Sequence, residues 1–244
     1  MPFSPRYLTN DLENKLRDFL KSNDFTRMYK EYFWRNDNWE NGFPDIFKLE
    51  KKVLISAKGN FLCKEDIICI VIWGGFRNIK RVVCPESIKT TLYENGKINE
   101  ALKENPLITL RELKNCIKGL GPTYLSKILR FAQPAEFGAI DTRIVRVVGN
   151  GDFDHKRHDW INIKVCNYGD GWYIPSQQSS WPSEYSKWIN ILRYFAMVLN
   201  NEKVFCPHPI NFPKSNLRAE GVWECADVEM ALFSYVSKYV KSKK

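Results

Sequence analysis

Two helical patterns joined by a very short turn, Gly119-Leu120-Gly121, constrain the fold of this chain more than any other feature. The first pattern follows Asn105, which can cap a helix, and carries Pro106 in its first turn, where the missing proline N–H does no harm. Its apolar residues recur on one helical face, at Leu107, Leu110, Leu113 and Ile117. Gly119 then ends the run, as a C-terminal glycine does. So short a connection predicts an antiparallel helical pair.

A second helix is predicted to open at Pro122 and to stop at Gln133-Pro134. Its apolar positions follow a regular helical spacing, at Tyr124, Leu125, Ile128, Leu129 and Ala132. After a short loop, Asp141 stands where it can cap a third helix, predicted over residues 143–148. Residues 105–148 therefore predict three consecutive helices with two short connections.

The rest of the chain also predicts mainly helix. Further helices are predicted over residues 11–29, 64–73, 93–103, 183–200 and 226–239. Residues 149–181 differ, because they are rich in Gly, Asn, Asp and Trp. There Ile161, Ile163 and Val165 alternate with polar residues before a Gly-Asp-Gly turn, which predicts a small β-hairpin insertion. We expect a mainly α fold in which residues 1–244 form a single unit of two packed helical lobes.

Charge and aromatic content indicate the kind of partner. The 244 residues carry 37 basic and 28 acidic side chains, a net charge of +9, which favours a polyanionic partner; plain solubility is the other explanation. Eight tryptophans are enough to supply a core and also to line a groove or stack on bases. There is no signal peptide and no apolar run near the ~20 residues that span a bilayer, so we expect a cytoplasmic protein without a membrane partner.

The seven cysteines include no C-x-x-C pair, which favours free thiols in a reducing compartment over a disulfide framework. Cys206, His208 and Cys225 are conceivable zinc ligands. Their spacing matches no standard site, however, and buried structural cysteines are the more common case. No carboxylate cluster is spaced for magnesium. We therefore expect neither a metal centre nor an organic cofactor.

The glycine turn itself has two interpretations. An αα-turn needs glycine simply because glycine reaches positive φ without a Cβ clash. The lack of side chains also lets backbone N–H groups at the start of the second helix approach an anionic surface such as DNA phosphates. Lys114, Lys118 and Arg130 flank the turn and would add salt-sensitive attraction. The turn alone does not decide between the two.

The segment downstream favours DNA. The Gly-Leu-Gly turn, the helix after it and the stretch IDTRIVRV, residues 140–147, together resemble the helix–hairpin–helix DNA glycosylases, in which a G-x-G hairpin precedes an aspartate that opens the next helix. This resemblance covers residues 105–148. KEDIICIVIW (residues 64–73) and CADVEMALF (residues 225–233) resemble the compact 8-oxoguanine-glycosylase-fold branch found in prokaryotes. The resemblance implies a helix–hairpin–helix DNA glycosylase fold with the β-hairpin insertion at residues 149–181.

The resemblance also implies two catalytic residues. Asp141 would stabilise the positive charge that develops on the deoxyribose, or orient the nucleophile; as a plain helix cap it would contribute only ~1 kcal/mol. Lys127 would attack C1′ as a neutral amine and form a Schiff base; a solvated lysine or a phosphate contact is the alternative. Many bifunctional members carry a lysine where this chain has Thr123, so an enzyme that uses water and Asp141 alone is a further alternative.

Contacts to DNA and to a flipped base are implied as well. The expected DNA contacts are Gly119, Leu120, Gly121, Thr123, Lys114, Lys118, Arg143 and Arg77. A base must leave the duplex to be excised, and aromatic side chains hold it by stacking. The candidate walls are Trp34, Phe76, Trp73, Trp172 and Trp181, with Trp39 as a further one; a core position is the alternative for each. In relatives the hairpin carbonyls hold a structural monovalent cation, which is possible here too.

The implied function is excision of a modified base from double-stranded DNA by a monomeric, DNA-associated enzyme. The parent fold implies 8-oxoguanine, whereas the compact branch also includes anti-viral enzymes that remove glucosylated 5-hydroxymethylcytosine from phage DNA. The polar and aromatic insertion favours the second substrate, because it suits a sugar-binding wall with Asp152, Asp154, His155, His158 and Asn167; an exposed hairpin is the alternative. Helix–hairpin–helix turns also serve as pure duplex anchors, so a non-enzymatic DNA-binding module is the competing class.

Overall fold

The computed structural model describes residues 1–169 and 171–240, and it confirms a mainly helical fold, with 48% helix. The helices in these residues are α1 (Asn10–Ser22), α2 (Phe25–Lys30), α3 (Pro44–Lys58), α4 (Lys64–Trp73), α5 (Ala101–Glu104), α6 (Ile108–Cys116), α7 (Pro122–Ala132), α8 (Thr142–Val148), α9 (Ser183–Asn201), α10 (Asn211–Lys214) and α11 (Cys225–Ser237). A 3-10 turn covers Ile79–Arg81. Within the described ranges, no helix combines the length and the apolar character that crossing a membrane requires.

Short strands of the described residues pair only two at a time, and each pair is antiparallel. The pairs are β1 (Phe33–Trp34) with β2 (Asp37–Asn38), β3 (Phe61–Cys63) with β4 (Ser87–Lys89), β5 (Tyr93–Glu94) with β6 (Lys97–Ile98), and β7 (Cys166–Tyr168) with β8 (Gly171–Tyr173). The last pair is the hairpin predicted for the insertion. The strands are too short to form a sheet core, so helix packing supplies it.

Two predicted helices differ from the structure for local reasons. The helix predicted over residues 11–29 is two helices, because the Asp24 side chain caps α2 by accepting a hydrogen bond from Arg27 N at 2.9 Å. The helix predicted over residues 93–103 is wrong, since β5 and β6 form a hairpin there. Its turn is Asn95-Gly96, with φ of 51° and 75°, and Asn-Gly is a strong signal for a two-residue hairpin turn.

The insertion is anchored to the end of α8. Asn150 N donates to Ile163 O at 2.8 Å, and Val165 N donates to Asn150 O at 2.9 Å. Gly151 has a φ of 100°, and a Cβ there would lie 2.1 Å from Val165 O, so only glycine permits this approach. The alternating residues Ile161, Ile163 and Val165 are buried, as their pattern requires, but the regular strand begins only at β7.

A buried ion network joins the helices that surround α7. This helix packs against α3, α4 and α6, while α11 packs against α2, α8 and α9. Arg130 of α7 was expected beside the turn as a phosphate contact; instead its side chain is 1% exposed and donates to Glu50 of α3 at 2.5 Å. Arg218 donates to Glu50 at 2.8 Å and to Asp227 of α11 at 3.1 Å. The network therefore holds α3, α7 and α11 together.

The two glycines of the turn have different roles. Gly119 has a φ of 84°, and a Cβ there would lie 2.1 Å from Arg81 O. Gly121 precedes α7 with a φ of −95°, and a Cβ there would meet nothing within 4 Å. The lack of space for a Cβ therefore explains why Gly119 is a glycine, whereas a side chain at Gly121 would point into open space.

Replacing Gly119 by alanine is expected to lower the free energy of unfolding by at least about 2 kcal/mol, because alanine resists positive φ and its Cβ meets the Arg81 carbonyl. Gly121→Ala is the matched control and should cost less than about 1 kcal/mol, the scale of a change at a helix cap. Urea unfolding of both variants measures the difference. Equal losses for the two variants would contradict this account of the turn.

Candidate active site

A cavity of about 630 Å³ lies where the N-termini of α7 and α8 meet the insertion. Its lining comes from five parts of the chain: Trp34; Gly74 and Phe76; Gly121, Pro122, Thr123, Tyr124 and Lys127; Asp141, Thr142 and Arg143; and Trp172, Tyr173, Ile174, Pro175, Ser176 and Gln177. The cavity thus contains both candidate catalytic residues and borders the glycine turn.

Asp141 and Lys127 face each other in this cavity. Lys127 Nζ lies 3.3 Å from Asp141 Oδ2, and the two side chains are 7% and 13% exposed. The other carboxylate oxygen, Oδ1, accepts a hydrogen bond from Arg143 N at 3.0 Å and so caps α8. Burial alone would raise the pKa of Asp141, but Lys127 and the Arg143 backbone N–H outweigh burial and lower it. Asp141 therefore caps a helix and presents an ionised carboxylate to the cavity.

Three aromatic rings surround the Lys127 amine. Its Nζ lies 5.3 Å from the centroid of Trp34, 5.5 Å from that of Trp73 and 5.7 Å from that of Tyr124. Aromatic faces attract a cation at these distances, which helps to hold the amine in place beside the carboxylate. Tyr124 was not among the predicted site residues, since its helical spacing suggested only a core role.

The backbone before Asp141 is fixed by hydrogen bonds from buried side chains. Ser126 Oγ, one residue before Lys127, accepts a hydrogen bond from Ile140 N at 3.0 Å. Tyr185 Oη donates to Gly138 O, and Trp188 Nε1 donates to Ala139 O, both at 3.1 Å. These contacts tie the approach to α8 both to α7 and to α9, so the distance between the two catalytic candidates is set by packed elements.

A second carboxylate, Glu229 of α11, lies behind the pair. Its side chain is 8% exposed, its carboxylate accepts a hydrogen bond from the Ala139 backbone, and Arg130 Nε lies 3.8 Å away. Burial raises the pKa of Glu229 to about 7, and Asp141 raises it too, while Arg130 and Lys127 lower it. Sequence reasoning missed this residue, because a glutamate on a helix is usually exposed.

The predicted DNA contacts lie at the mouth of the cavity and around the turn. Gly121, Thr123 and Arg143 line the cavity, and the Arg143 guanidinium lies over the Trp34 ring at 5.4 Å. Lys114, Lys118 and Arg77 are exposed. Lys118 forms two backbone hydrogen bonds with Val83, which brings the segment that carries Arg77, Lys80 and Arg81 next to Gly119-Leu120-Gly121. We call the five exposed cations Arg77, Lys80, Arg81, Lys114 and Lys118 the basic rim.

The aromatic candidates divide into wall and core. Trp34, Phe76 and Trp172 line the cavity. Trp73 contacts the Lys127 amine, but it is buried and its Nε1 donates to Asp37 at 2.8 Å. Trp181 is buried against Tyr185, and Trp39 donates to Pro207 O on another part of the surface. Burial thus decides Trp73 and Trp181 in favour of the core alternative, whereas the half-buried Trp39 does not line the cavity.

The insertion contributes residues other than those predicted. The cavity wall is Trp172–Gln177, a short run at and after β8. His158 is packed between Phe19 and Trp160. The other predicted residues do not line the cavity: Asp152 and His155 contact Arg146, and Asp154 and Asn167 are exposed. Polarity alone therefore did not identify the wall, because the hairpin register decides which side chains face the cavity.

Among the zinc-ligand candidates, His208 is already paired with Asp227. Polar atoms of Cys206, His208 and Asp227 lie within 4.8 Å of one another, and Cys225 is not part of this group. Asp227 already accepts hydrogen bonds from Arg218 at 3.1 Å and pairs with His208 at 3.2 Å. The guanidinium supplies the positive charge that a metal would provide, so these contacts do not call for an ion. All seven cysteines lie in the described ranges and are free thiols.

Two carbonyls at the glycine turn are already engaged in hydrogen bonds. Lys118 O accepts Val83 N, and Gly121 O accepts Tyr124 N and Leu125 N. A monovalent cation at the turn would therefore rely on the remaining carbonyls, of Gly119 and Leu120.

Comparison of the chain with protein-family models, curated proteins and solved structures finds no match.

The Glu229→Gln variant is expected to become more stable than the wild type as the pH rises. The pKa of Glu229 is about 7 in the folded protein, above its ordinary value of 4.5, so the stability that the protonated form contributes is lost as the pH rises through 7. The difference in unfolding free energy should grow from near zero at pH 4.5 to about 3 kcal/mol at pH 8. Denaturant unfolding across this range measures it.

Glu65→Gln is the control, because Lys52 lowers the pKa of this exposed carboxylate and the pH trend should have the opposite sign. A stability difference between Glu229→Gln and the wild type that stays constant from pH 4.5 to 8 would show that Glu229 titrates normally.

Proposed function

We propose that this protein is a DNA glycosylase of the helix–hairpin–helix fold, which flips a modified base out of double-stranded DNA and cleaves its N-glycosidic bond. The observation that carries the proposal is the pairing of Asp141 with Lys127 inside a cavity bordered by the glycine turn and the basic rim.

Asp141 is the group that stabilises the transition state. Breaking the bond between base and sugar develops positive charge at C1′, and a nearby ionised carboxylate in a partly dry cavity lowers the energy of that state. The lowered pKa of Asp141 keeps it ionised at neutral pH. Its position at the cap of α8 fixes the direction in which the other carboxylate oxygen, Oδ2, points.

Lys127 is the nucleophile in this proposal. After its ammonium loses a proton to water, the lone pair on Nζ forms a bond to C1′ while the base leaves with the electrons of the broken bond. The C1′–O4′ bond of this adduct then opens, O4′ takes up a proton, and Nζ loses a further proton to solvent as needed to give the C1′=Nζ Schiff base. The Schiff base would permit strand cleavage at the abasic site. Burial of the side chain supports this role over that of a solvated surface lysine. The alternative is that water is the nucleophile and Lys127 only holds Asp141. Borohydride trapping distinguishes these two mechanisms.

The glycine turn and the basic rim bind the DNA backbone. The open space in front of Gly121 lets the Thr123 backbone N–H, in the first turn of α7, approach a phosphate, where the helix dipole favours negative charge. The exposed cations around the turn add attraction that does not depend on sequence. Phosphate contacts around the turn, which borders the cavity, would place the target nucleotide near Asp141.

The favoured substrate is glucosylated 5-hydroxymethylcytosine in phage DNA, which gives the enzyme a role in anti-phage defence. A cavity of about 630 Å³ falls within the ~300–1,000 Å³ that holds drug-sized ligands, so a base with a hexose substituent has room. The wall combines aromatic faces, Trp34 and Trp172, with polar groups, Ser176 and Gln177. Aromatic surface next to hydrogen-bonding groups suits a sugar ring attached to a base.

Asp141→Asn is expected to lower the single-turnover rate of base release by about 10²–10³-fold, because the amide cannot stabilise the developing charge. Affinity for DNA should stay within about twofold, since the rim is unchanged.

Lys127→Gln should abolish borohydride cross-linking to substrate DNA. Lys118→Gln is the matched control: it removes a rim lysine but keeps the Lys127 amine, so at saturating protein concentration it should cross-link as the wild type does.

The results also separate the competing functions. If the wild type releases no base from any modified DNA and Asp141→Asn binds DNA normally, the protein is a binding module. Release of 8-oxoguanine but not of the glucosylated base would assign a repair function. Base release without any cross-link would leave Lys127 as a binding residue and make water the nucleophile.

Lys114→Gln and Lys118→Gln are each expected to weaken DNA binding and to reduce the slope of log affinity against log salt concentration by roughly one, as the loss of one phosphate contact does. Lys21→Gln, on the exposed side of α1, is the control and should leave both quantities unchanged. Fluorescence anisotropy with labelled duplex at several salt concentrations measures them. An unchanged slope for both rim variants would place the DNA elsewhere.

A further inference from the structure

Arg146, on the last turn of α8, contacts three residues of the insertion. Its guanidinium carbon lies 4.3 Å from the ring centroid of Trp172. Its Nε donates to Asp152 Oδ2 at 2.5 Å, and its Nη2 lies 3.3 Å from His155 Nδ1. The side chains of Arg146 and Asp152 are 12% and 4% exposed, so this charge-assisted contact is shielded from solvent.

These contacts connect the wall of the cavity to α8, the helix that Asp141 caps. Trp172 lines the cavity and stands on β8, which among the described residues pairs only with β7. An isolated two-stranded hairpin is only marginally stable, so its position depends on contacts with the rest of the fold. Asp152 holds the guanidinium in place, and the planar guanidinium in turn stacks on the indole ring.

We propose that Arg146 is a positioning residue that determines specificity, because it holds the Trp172 ring as a fixed face against which the flipped, modified base stacks. This inference rests on the proposed function and deepens it. Binding to a fixed aromatic face costs less conformational entropy than binding to a mobile one. Loss of Arg146 therefore impairs capture of the base, while phosphate binding and the Asp141–Lys127 pair stay intact.

Arg146→Ala is expected to lower the single-turnover rate of release of glucosylated 5-hydroxymethylcytosine by about tenfold or more, the scale of losing one base–aromatic stack. Affinity for duplex DNA with a preformed abasic site, which has no base to stack, should stay within about twofold. Arg157→Ala is the matched control, because Arg157 lies in the same insertion but over Tyr239, at 5.1 Å. It should behave as the wild type in both assays.

A double-mutant cycle with Trp172→Ala shows whether Arg146 acts through the tryptophan. Each single variant should lose activity, and the double variant should lose no more than about twofold beyond Trp172→Ala. Multiplicative losses, or wild-type activity of Arg146→Ala, would overturn the proposal. If Arg146→Ala does not fold, Arg146→Lys takes its place in the same cycle, since it keeps a charge for Asp152 but has no planar face for the indole; a wild-type rate for it would count against the proposal.

Hydrogen exchange separates this inference from the proposed function. Arg146→Ala should speed exchange of the backbone amides of Cys166–Tyr168 and Gly171–Tyr173 at least about fivefold relative to Arg157→Ala. A wild type that releases no base would overturn the proposed function, and the exchange rates alone would then decide the positioning role. Equal exchange in the two variants would overturn that role.

Discussion

The buried ion pair between Lys127 and Asp141 is the interaction on which the site depends. Taking two charges out of water costs several kcal/mol per ion, and their mutual attraction repays this only when hydrogen bonds and geometry are favourable. Here Arg143 N satisfies one carboxylate oxygen, and aromatic faces receive the ammonium. A buried pair of this kind is weak evidence for stability, but perturbed and desolvated groups in a cavity are typical of functional sites.

The frame around the pair is held by a second set of buried charges. Arg130 lies three residues after Lys127 on α7, and it links that helix to Glu50, which Arg218 connects in turn to α11. Removing one partner of such a network leaves an uncompensated charge, which costs about 3–5 kcal/mol. Because Glu229 stands on the same helix, α11, the network also fixes the carboxylate behind the catalytic candidates. The residues that stabilise the fold therefore also fix the geometry of the site.

Local signals in the sequence predicted the elements that carry the site. Glycine at a turn, proline at a first helical position and aspartate at a cap act over a few residues, and α7, α8 and their connection lie where these residues indicate. The neighbours of Lys127 could not be predicted in this way. Trp34 arrives from the β1–β2 hairpin and Trp172 from the insertion, so only the tertiary fold shows that both face the cavity. The role of Arg130 was wrongly predicted for the same reason, since its partner Glu50 lies on a helix that is distant in sequence but packs against α7.

Mass spectrometry of the small molecules released from DNA tests the central claim most directly. The wild type and Asp141→Asn would be incubated with duplex DNA that contains glucosylated 5-hydroxymethylcytosine, 8-oxoguanine or only the four normal bases. The account predicts a free modified base from the wild type, at a rate at least about 10²-fold above that of Asp141→Asn, and none from unmodified DNA. Release of no base from any of these DNAs, or equal release by both proteins, would contradict it.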